Sequence, residues 1–257
     1  MAFGGWQESS RRGIARPMPE AYDVTIQQII RETPEVKTFR LGPIPENFTF
    51  EPGQFVTVAC DIPGDRKIRR AYSIANPPTR TGFVDITIRK MDDGRLSKYL
   101  CDQAYEGMPI QMLGPYGKFT FKEGQADRLV LIGAGSGVVP LMCMVRYARD
   151  KNLDIDLTLL YSSKTWDHVI YRDELEGLNE ELEALKVMHT LTRVNEHEWH
   201  GFRGRISKDM IAQCLDAKKI PASRFYICGP PTMVDSAASF LAELGAAKDQ
   251  ILVEKYD

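Results

Sequence analysis

Polar and apolar residues alternate in short runs along the first half of the chain. Runs with this period of two that are rich in β-branched and aromatic residues predict half-buried strands. The runs with this pattern are residues 22–30, 36–41, 54–60, 68–75, 83–90 and 109–113. Several short strands in succession are typical of an antiparallel β-sandwich or β-barrel, and we predict a barrel.

One helix interrupts this β-rich region at residues 94–103. Leu96, Tyr99 and Leu100 recur there at helical spacing, and Asp92 and Asp93 precede the helix as candidate N-terminal caps. We expect the helix to plug one end of the barrel.

The pattern changes after Glu123 to apolar strands that alternate with helices. The predicted strands are residues 128–132, 155–161, 187–192, 225–228 and 251–255, with helices beginning near Val138, Arg172, Ser207 and Pro231. This alternation predicts a parallel, Rossmann-like α/β sheet with helices on both faces. The predicted organisation is a tail at 1–17, a β-barrel domain at 18–124 and an α/β domain at 125–257.

Composition and charge narrow the range of partners. The 257 residues include 33 Lys and Arg against 35 Asp and Glu, a net charge of -2, which gives no general attraction for nucleic acid or an anionic membrane. No run reaches the roughly 18 to 20 apolar residues of a membrane span, so no membrane insertion is expected. We also expect a monomer.

The cysteines and histidines argue against disulfides and metal sites. Five cysteines are an odd number, widely spaced and without a CxxC pair, which predicts a reducing, cytoplasmic location and neither a zinc site nor an iron–sulfur cluster in this chain. His197, Glu198 and His200 lack the HExxH spacing, so no metal is predicted.

A glycine-rich turn joins the first strand of the second domain to its helix. Gly135, Ser136 and Gly137 follow the strand, and Pro140 lies in the first helical turn. Such a turn brings backbone amides and the positive end of a helix to a phosphate. Val138 replaces the third glycine of the dinucleotide fingerprint, and an ordinary tight reversal of the chain remains an alternative.

The end of the next strand indicates which dinucleotide would bind. An acid there accepts a hydrogen bond from the ribose hydroxyl, whereas a base pairs with a 2′-phosphate. The turn has no acid before Asp167, and its donors are Ser162, Ser163 and Lys164, with Thr192, Arg193 and Arg205 further along. This favours NADP(H) over NAD(H), although solvated loop cations are an equally simple interpretation.

A strand of the first domain ends in two arginines, a tyrosine and a serine. Alternation places Arg70 and Tyr72 on one face and Ala71 and Ser73 on the other. A ring, a cation and a hydroxyl suit a flat cofactor that carries a pyrophosphate. Without further evidence, the segment is only a strand with a basic end.

Five short motifs follow one another in a single order along the chain. They are Pro-Gly-Gln-Phe at 52–55, Arg-Ala-Tyr-Ser at 70–73, Gly-Pro-Tyr-Gly at 114–117, Gly-Ser-Gly-Val-Val-Pro at 135–140 and Cys-Gly-Pro-Pro at 228–231. With these motifs the chain resembles the ferredoxin–NADP reductase family, in which an FAD-binding β-barrel precedes a pyridine-nucleotide domain. The resemblance covers residues 22–257, without a fused iron–sulfur domain.

The resemblance implies an FAD site on the first domain. There Tyr72 would pack on the isoalloxazine, Arg70 would hold the pyrophosphate and Ser73 would approach flavin N5. The start of the helix at Gly94 matches the family's pyrophosphate-binding G-x-x-S. The implied FAD contacts are Arg70, Ala71, Tyr72, Ser73, Ile88, Arg89, Lys90, Gly94, Arg95, Leu96 and Ser97.

The resemblance likewise implies a nicotinamide site on the second domain. Cys228 would lie beside the nicotinamide as a neutral thiol, and the C-terminal Glu254-Lys255-Tyr256 is similar to the family's E-x-Y ending, with Asp257 added. The implied catalytic residues are Ser73, Cys228, Glu254 and Tyr256. The implied nucleotide contacts are Gly135, Ser136, Gly137, Pro140, Ser162, Ser163, Lys164, Thr192, Arg193, Arg205, Cys228, Gly229 and Pro230.

The activity implied is hydride transfer between NAD(P)H and FAD, with single electrons passed to a ferredoxin, a flavodoxin or an oxygenase component. Three alternatives stay open at this point. They are a reductase of free flavin, a flavin-bearing subunit of a larger complex as in dihydroorotate dehydrogenases, and a non-catalytic flavin sensor. The second would be expected to carry cluster-binding cysteines, which the sequence lacks.

Overall fold

Six antiparallel strands form the first domain in the computed structural model, which describes residues 21–64, 67–194 and 199–256. The predicted tail at 1–17 lies outside the described residues. The strands are β1 (Ala21–Thr33), β2 (Val36–Gly42), β3 (Phe55–Cys60), β4 (Ile68–Ser73), β5 (Val84–Arg89) and β6 (Pro109–Tyr116). Their order is β4-β3-β6-β1-β2-β5, and a bridge between Ile74 and Ile86 joins the two outer strands into the predicted barrel.

Helix α1 (Arg95–Gln103) packs against the barrel core, as the sequence predicts. Leu96 and Leu100 are each 1% exposed and belong to the same apolar cluster as the strands. The predicted aspartate caps are wrong, because the N-cap is Gly94 and no side chain caps the helix. The Ser97 hydroxyl fills the space above Gly94, only 2.2 Å from where a Cβ would stand, so a capping side chain does not fit.

The second domain is a parallel six-stranded sheet. Its strands are β7 (Arg128–Ala134), β8 (Asp156–Ser163), β9 (Leu185–Leu191), β10 (Phe202–Arg203), β11 (Ser223–Gly229) and β12 (Ile251–Lys255). They run in the order β10-β9-β8-β7-β11-β12, which confirms the predicted α/β class. The two-residue β10 is missing from the sequence prediction because it is too short to show a period.

Helices cover both faces of this sheet. They are α2 (Val138–Asp150), α3 (Arg172–Glu181), α4 (Lys208–Cys214) and α5 (Pro231–Glu243). Apolar residues of α2 and α3 form one cluster that also includes Phe119 and Phe121, just after the barrel, whereas α4 and α5 pack on the opposite face. None of the helices in the described part of the chain is long and apolar enough to cross a membrane.

Polar contacts fix the barrel against the α/β domain. Arg146 of α2 is 8% exposed, forms an ion pair with Glu174 of α3 and donates to the Ala75 carbonyl at 2.7 Å. On another part of the interface the Tyr226 hydroxyl donates to the Thr120 carbonyl at 3.0 Å. These contacts fix the segment after β4 against α2, and the segment after β6 against β11.

Candidate active site at the domain interface

A cleft of about 390 Å³ lies between the two domains, and we call it the interdomain cleft. The first domain lines it with Thr33, Glu35, Val36, Arg89 and Met91. The second domain lines it with Ala134, Gly135, Ser136, Ser162, Ser163, Lys164, His168, Ile170, Thr192, Pro230, Pro231 and Tyr256. The cleft is at the carboxyl ends of β7 and β11, where the strand order reverses and ligands of open α/β sheets bind.

The turn after β7 is built from glycines that serve two different purposes. Gly135 has φ +55° and nothing within 4 Å of a Cβ position, so its backbone is open to the cleft. At Gly137 a Cβ would stand 2.1 Å from the Cys228 carbonyl oxygen. Gly137 therefore allows the start of α2 to lie directly on the end of β11.

The C-terminal tyrosine joins the two domains at one side of the cleft. The Tyr256 amide donates to the Gly229 carbonyl at 3.1 Å, which fixes the backbone beyond β12. The Tyr256 hydroxyl then lies 3.5 Å from Ser73 Oγ at the end of β4. Two residues that are 183 positions apart are thus brought into contact, each from a different domain.

Cys228 and Glu254 are paired across neighbouring strands beneath this tyrosine. They stand opposite each other in the parallel pairing of β11 with β12, and Cys228 Sγ is 3.9 Å from Glu254 Oε2. Burial raises the pKa of Glu254 to about 7 and raises the pKa of the Cys228 thiol well above its ordinary value. Cys228 is consequently a neutral thiol at physiological pH, next to a carboxyl that titrates near neutrality.

The end of β8 supplies polar groups to the opposite side of the cleft. Ser163 is 6% exposed, and within the described chain its Oγ has no hydrogen-bond partner. The Thr192 hydroxyl donates to the Ser163 carbonyl at 3.3 Å, and Lys164 follows directly along the chain. A buried hydroxyl without a partner costs free energy unless a ligand pairs with it, so this site fits a polar ligand.

The end of β4 and the start of α1 form a separate surface on the first domain. Tyr72 is partly buried against the barrel core, and burial raises its pKa, so the phenol is neutral. Arg70 is exposed, and its guanidinium donates to the Arg69 carbonyl. The first turn of α1 contains neither an acid nor a side-chain cap, so its amides fit an anionic group such as a pyrophosphate.

The sequence matches two family models that together span both domains. Residues 23–121 match the oxidoreductase FAD-binding domain, and residues 131–239 match the oxidoreductase NAD-binding domain. The ferredoxin–NADP reductase B of Sorangium cellulosum is 31% identical, over 82% of this chain and 86% of that protein. The chain belongs to the ferredoxin–NADP reductase family.

Other members of the ferredoxin–NADP reductase family show how this chain compares in length and shape. The glycine betaine monooxygenase reductase subunit of Chromohalobacter salexigens is 30% identical over 87% of this chain, which spans 61% of that relative's length. The ferredoxin reductase in carbazole 1,9a-dioxygenase superposes with a TM-score of 0.79 at 26% identity, over 93% of this chain and 70% of that one. The chain therefore spans only about two thirds of the length of these two relatives.

The cleft brings together most of the residues that the ferredoxin–NADP reductase resemblance assigns to the nucleotide. Gly137, Cys228, Gly229 and Glu254 are not among its lining residues. The residues assigned to the nucleotide that line it are Gly135, Ser136, Ser162, Ser163, Lys164, Thr192 and Pro230, and they are joined there by Arg89, assigned to FAD, and Tyr256, assigned to catalysis. Arg193 and Arg205 are exposed and outside the lining, and Pro140 is buried within α2.

On the flavin side, two residues assigned by the family resemblance can act only through their backbone. Ile88 and Leu96 are each 1% exposed because their side chains belong to the barrel core. Lys90 forms an ion pair with Asp102 at 2.6 Å. His197 and Glu198 lie outside the described residues, so the expectation of no metal there stays a prediction.

The cleft contains an acid, Glu35, that no sequence motif indicates. Glu35 occupies the turn between β1 and β2, distant along the chain from the nucleotide motifs. Thr33, Met91 and His168 also line the cleft without matching a family motif. No local signal identifies them, because their position depends on how the barrel is seated against the second domain.

Proposed function

We propose that the chain is a flavoprotein oxidoreductase that takes electrons from NAD(P)H at the interdomain cleft and passes them singly to a separate electron carrier. The observation that carries this proposal is the contact of Ser73 with Tyr256 beside Cys228 and Glu254. It joins the strand end of an FAD-binding domain to the strand ends of an NAD-binding domain at one point, where two stacked cofactors would exchange hydride.

The first domain offers groups suited to each part of FAD. The partly buried ring of Tyr72 would stack on the isoalloxazine, and Ser73 would approach its N5. Arg70 and the uncapped amides at the start of α1 would bind the pyrophosphate through charge and hydrogen bonds. Bound at these residues, FAD would supply the chemistry that links two-electron hydride transfer to one-electron transfer.

The residues around the hydride site would work mainly by positioning and by excluding water. Cys228 presents an uncharged, polarisable surface, which does not compete for the hydride. Glu254 Oε2 can hold or release a proton near pH 7 because of its raised pKa. The Tyr256 ring closes the side of the cleft next to Ser73 and would have to move for a nicotinamide to stack in its place.

For the nucleotide we propose NADP(H) in preference to NAD(H). The ends of β8 and β9 present hydroxyl groups and a cation to the cleft, from Ser162, Ser163, Lys164 and Thr192. In sheets of this class the adenosine ribose of a dinucleotide binds at the end of the second strand, which is β8 here. The buried, unpaired Ser163 hydroxyl supports a ligand with acceptor atoms. Arg193 and Arg205 remain proposed outer contacts for the 2′-phosphate.

The proposed electron acceptor is a ferredoxin, a flavodoxin or a component of an oxygenase. Two relatives support this range, since one is a ferredoxin–NADP reductase and another is the reductase subunit of a glycine betaine monooxygenase. All five cysteines are buried and unpaired, which supports the proposed cytoplasmic location. We further propose that the protein is a monomer.

The test is to purify the protein, identify its bound flavin and measure NADPH-dependent reduction of a ferredoxin and of a flavodoxin. We expect FAD to remain bound through gel filtration and one of the carriers to be reduced. A colourless protein that oxidises NADPH only when flavin is added would replace the proposal by a free-flavin reductase. Bound flavin that neither nucleotide reduces would indicate a flavin-binding sensor.

A further inference from the structure

Glu35 is held at the mouth of the interdomain cleft by its own backbone. Its amide donates to Thr33 Oγ1 at 3.3 Å, and its carbonyl accepts from the Lys90 amide at 2.8 Å. The turn between β1 and β2 is therefore tied to the segment that follows β5. The Cα of Glu35 has a fixed position, while its carboxylate extends into the cleft.

The carboxylate of Glu35 interacts with cations from both domains. Glu35 Oε2 lies 3.6 Å from Lys164 Nζ and 3.4 Å from an Arg89 guanidinium nitrogen. Burial alone would raise the pKa of Glu35, but Lys164, Arg89 and His168 together lower it below its ordinary value. Glu35 is accordingly ionised at neutral pH, and it neutralises part of the charge of Lys164.

Glu35 and Lys164 form their ion pair at the end of β8. A dinucleotide-binding fold distinguishes NAD(H) from NADP(H) at this position. An acid at the end of the second strand accepts a hydrogen bond from the ribose 2′-hydroxyl of NAD(H), and a base there pairs with the 2′-phosphate of NADP(H). Among the described residues that line the cleft, the second domain supplies the base Lys164 and no acid. The first domain supplies the missing acid, Glu35, from 129 positions earlier in the sequence.

We infer that Glu35 is a specificity-determining residue, which restrains the preference of the cleft for NADP(H) over NAD(H). The inference rests on the proposed function, because it assumes that the cleft binds a pyridine nucleotide. A 2′-phosphate entering beside Lys164 would meet the negative charge of Glu35 and would have to compete with it for the lysine. A ribose hydroxyl would instead donate to the same carboxylate.

Removing the charge of Glu35 should free Lys164 for the phosphate. An ion pair of this exposure contributes up to about 1 kcal/mol, which corresponds to a factor of about five in affinity at about 1.4 kcal/mol per factor of ten. In Glu35→Gln the ratio of the Kd for NAD⁺ to the Kd for NADP⁺ should therefore rise about fivefold. Glutamine retains an acceptor oxygen, so most of the change should come from tighter NADP⁺.

The experiment is calorimetric titration of the oxidised, flavin-loaded protein with NADP⁺ and with NAD⁺, which requires no turnover. Four variants are compared with wild type: Glu35→Gln, Lys164→Gln, the double variant and the control Glu51→Gln. Glu51 has the same side-chain exposure as Glu35, 41%, and pairs with Lys122 at 2.7 Å, but it does not line the cleft. The flavin spectrum of each variant verifies that the first domain is intact.

We expect a raised ratio in Glu35→Gln, a smaller rise when the same change is made in Lys164→Gln, where only the direct repulsion is relieved, and no change in Glu51→Gln. An unchanged ratio in Glu35→Gln would overturn the inference, as would an equal rise in the presence and absence of Lys164. Failure of both nucleotides to bind the wild-type protein would refute the proposed function itself. An unchanged ratio in a protein that binds both would refute only the role of Glu35.

Discussion

Replacing Glu254 by glutamine should make the stability of the protein less dependent on pH. The carboxyl of Glu254 is largely buried beside Cys228, and burial raises its pKa from 4.5 to about 7. Well below pH 4.5 the carboxyl of Glu254 is protonated in both the folded and the unfolded chain, so its burial does not lower the free energy of unfolding. Between pH 4.5 and 7 the unfolded chain loses the proton while the folded chain keeps it, so the free energy of unfolding falls as pH rises.

The size of this effect follows from the shift in pKa. One pKa unit corresponds to about 1.4 kcal/mol, so a shift from 4.5 to about 7 gives roughly 3 kcal/mol at full ionisation. Solvent in the open cleft screens part of this, and we take about 2 kcal/mol as the expected penalty above pH 8. Glu254→Gln lacks the penalty and should be more stable than wild type by that amount at pH 8.5.

The assay is chemical unfolding of the flavin-loaded protein at pH 5 and pH 8.5, followed by tryptophan fluorescence. The advantage of Glu254→Gln over wild type should be under about 1 kcal/mol at pH 5 and about 2 kcal/mol at pH 8.5. The control is Glu243→Gln on exposed α5, where Lys208 lowers the pKa of the glutamate and no gain at pH 8.5 is expected. An advantage of equal size at both pH values would refute the assigned titration of Glu254.

Three further variants test the geometry of the interface. In Gly137→Ala the new Cβ would stand 2.1 Å from the Cys228 carbonyl oxygen, so we expect a lower melting temperature and slower flavin reduction, measured by scanning calorimetry and stopped-flow absorbance. Arg146→Met removes the partner of the Glu174 carboxylate at the domain interface and should cost roughly 3 kcal/mol in urea unfolding. Ser73→Ala should slow flavin reduction by NADPH about 10- to 100-fold while FAD stays bound, as seen in stopped-flow traces and the visible spectrum.

Two of these variants have a matched control, one in the same domain and one in the same helix. Gly177→Ala adds a methyl group inside α3 where nothing lies within 4 Å, so it should leave flavin reduction unchanged and slightly raise the melting temperature, because alanine favours a helix interior. A loss equal to that of Gly137→Ala would contradict the close-contact argument. Arg149→Met breaks an exposed pair with Glu181 and should cost at most about 1 kcal/mol. A larger loss there than in Arg146→Met, or normal reduction in Ser73→Ala, would contradict the assigned roles.

The sequence predicts the architecture well where the pattern is local. The change from period-two strands to alternating strands and helices identifies both domains, and α4 begins directly after Ser207, near which a helix is predicted to begin. The cap of α1 was predicted wrongly because the two aspartates fit the general preference for acids. The Ser97 hydroxyl, folded back over Gly94, already occupies the position that a cap would take.

Only part of the candidate site could be predicted from the sequence, because some of its residues are brought together by the packing of the two domains and not by strand order. Residues on β7, β8 and β11 converge because parallel strands place their carboxyl ends at one edge, so Gly135, Lys164 and Cys228 could be predicted together. The position of Glu35 could not be predicted in this way, because it depends on the packing of the barrel against α2. Arg193 was assigned from its charge and its place at the end of the following strand, and its position outside the lining could only be seen in three dimensions.

The most direct test of the account is anaerobic mixing of the purified protein with NADPH and, separately, with NADH, followed at the visible flavin band. We expect bound FAD whose visible band bleaches completely with either nucleotide, and faster with NADPH. Bleaching slowed by Ser73→Ala would locate the reaction at the meeting point of the two domains. A flavin band that neither nucleotide bleaches would contradict the account.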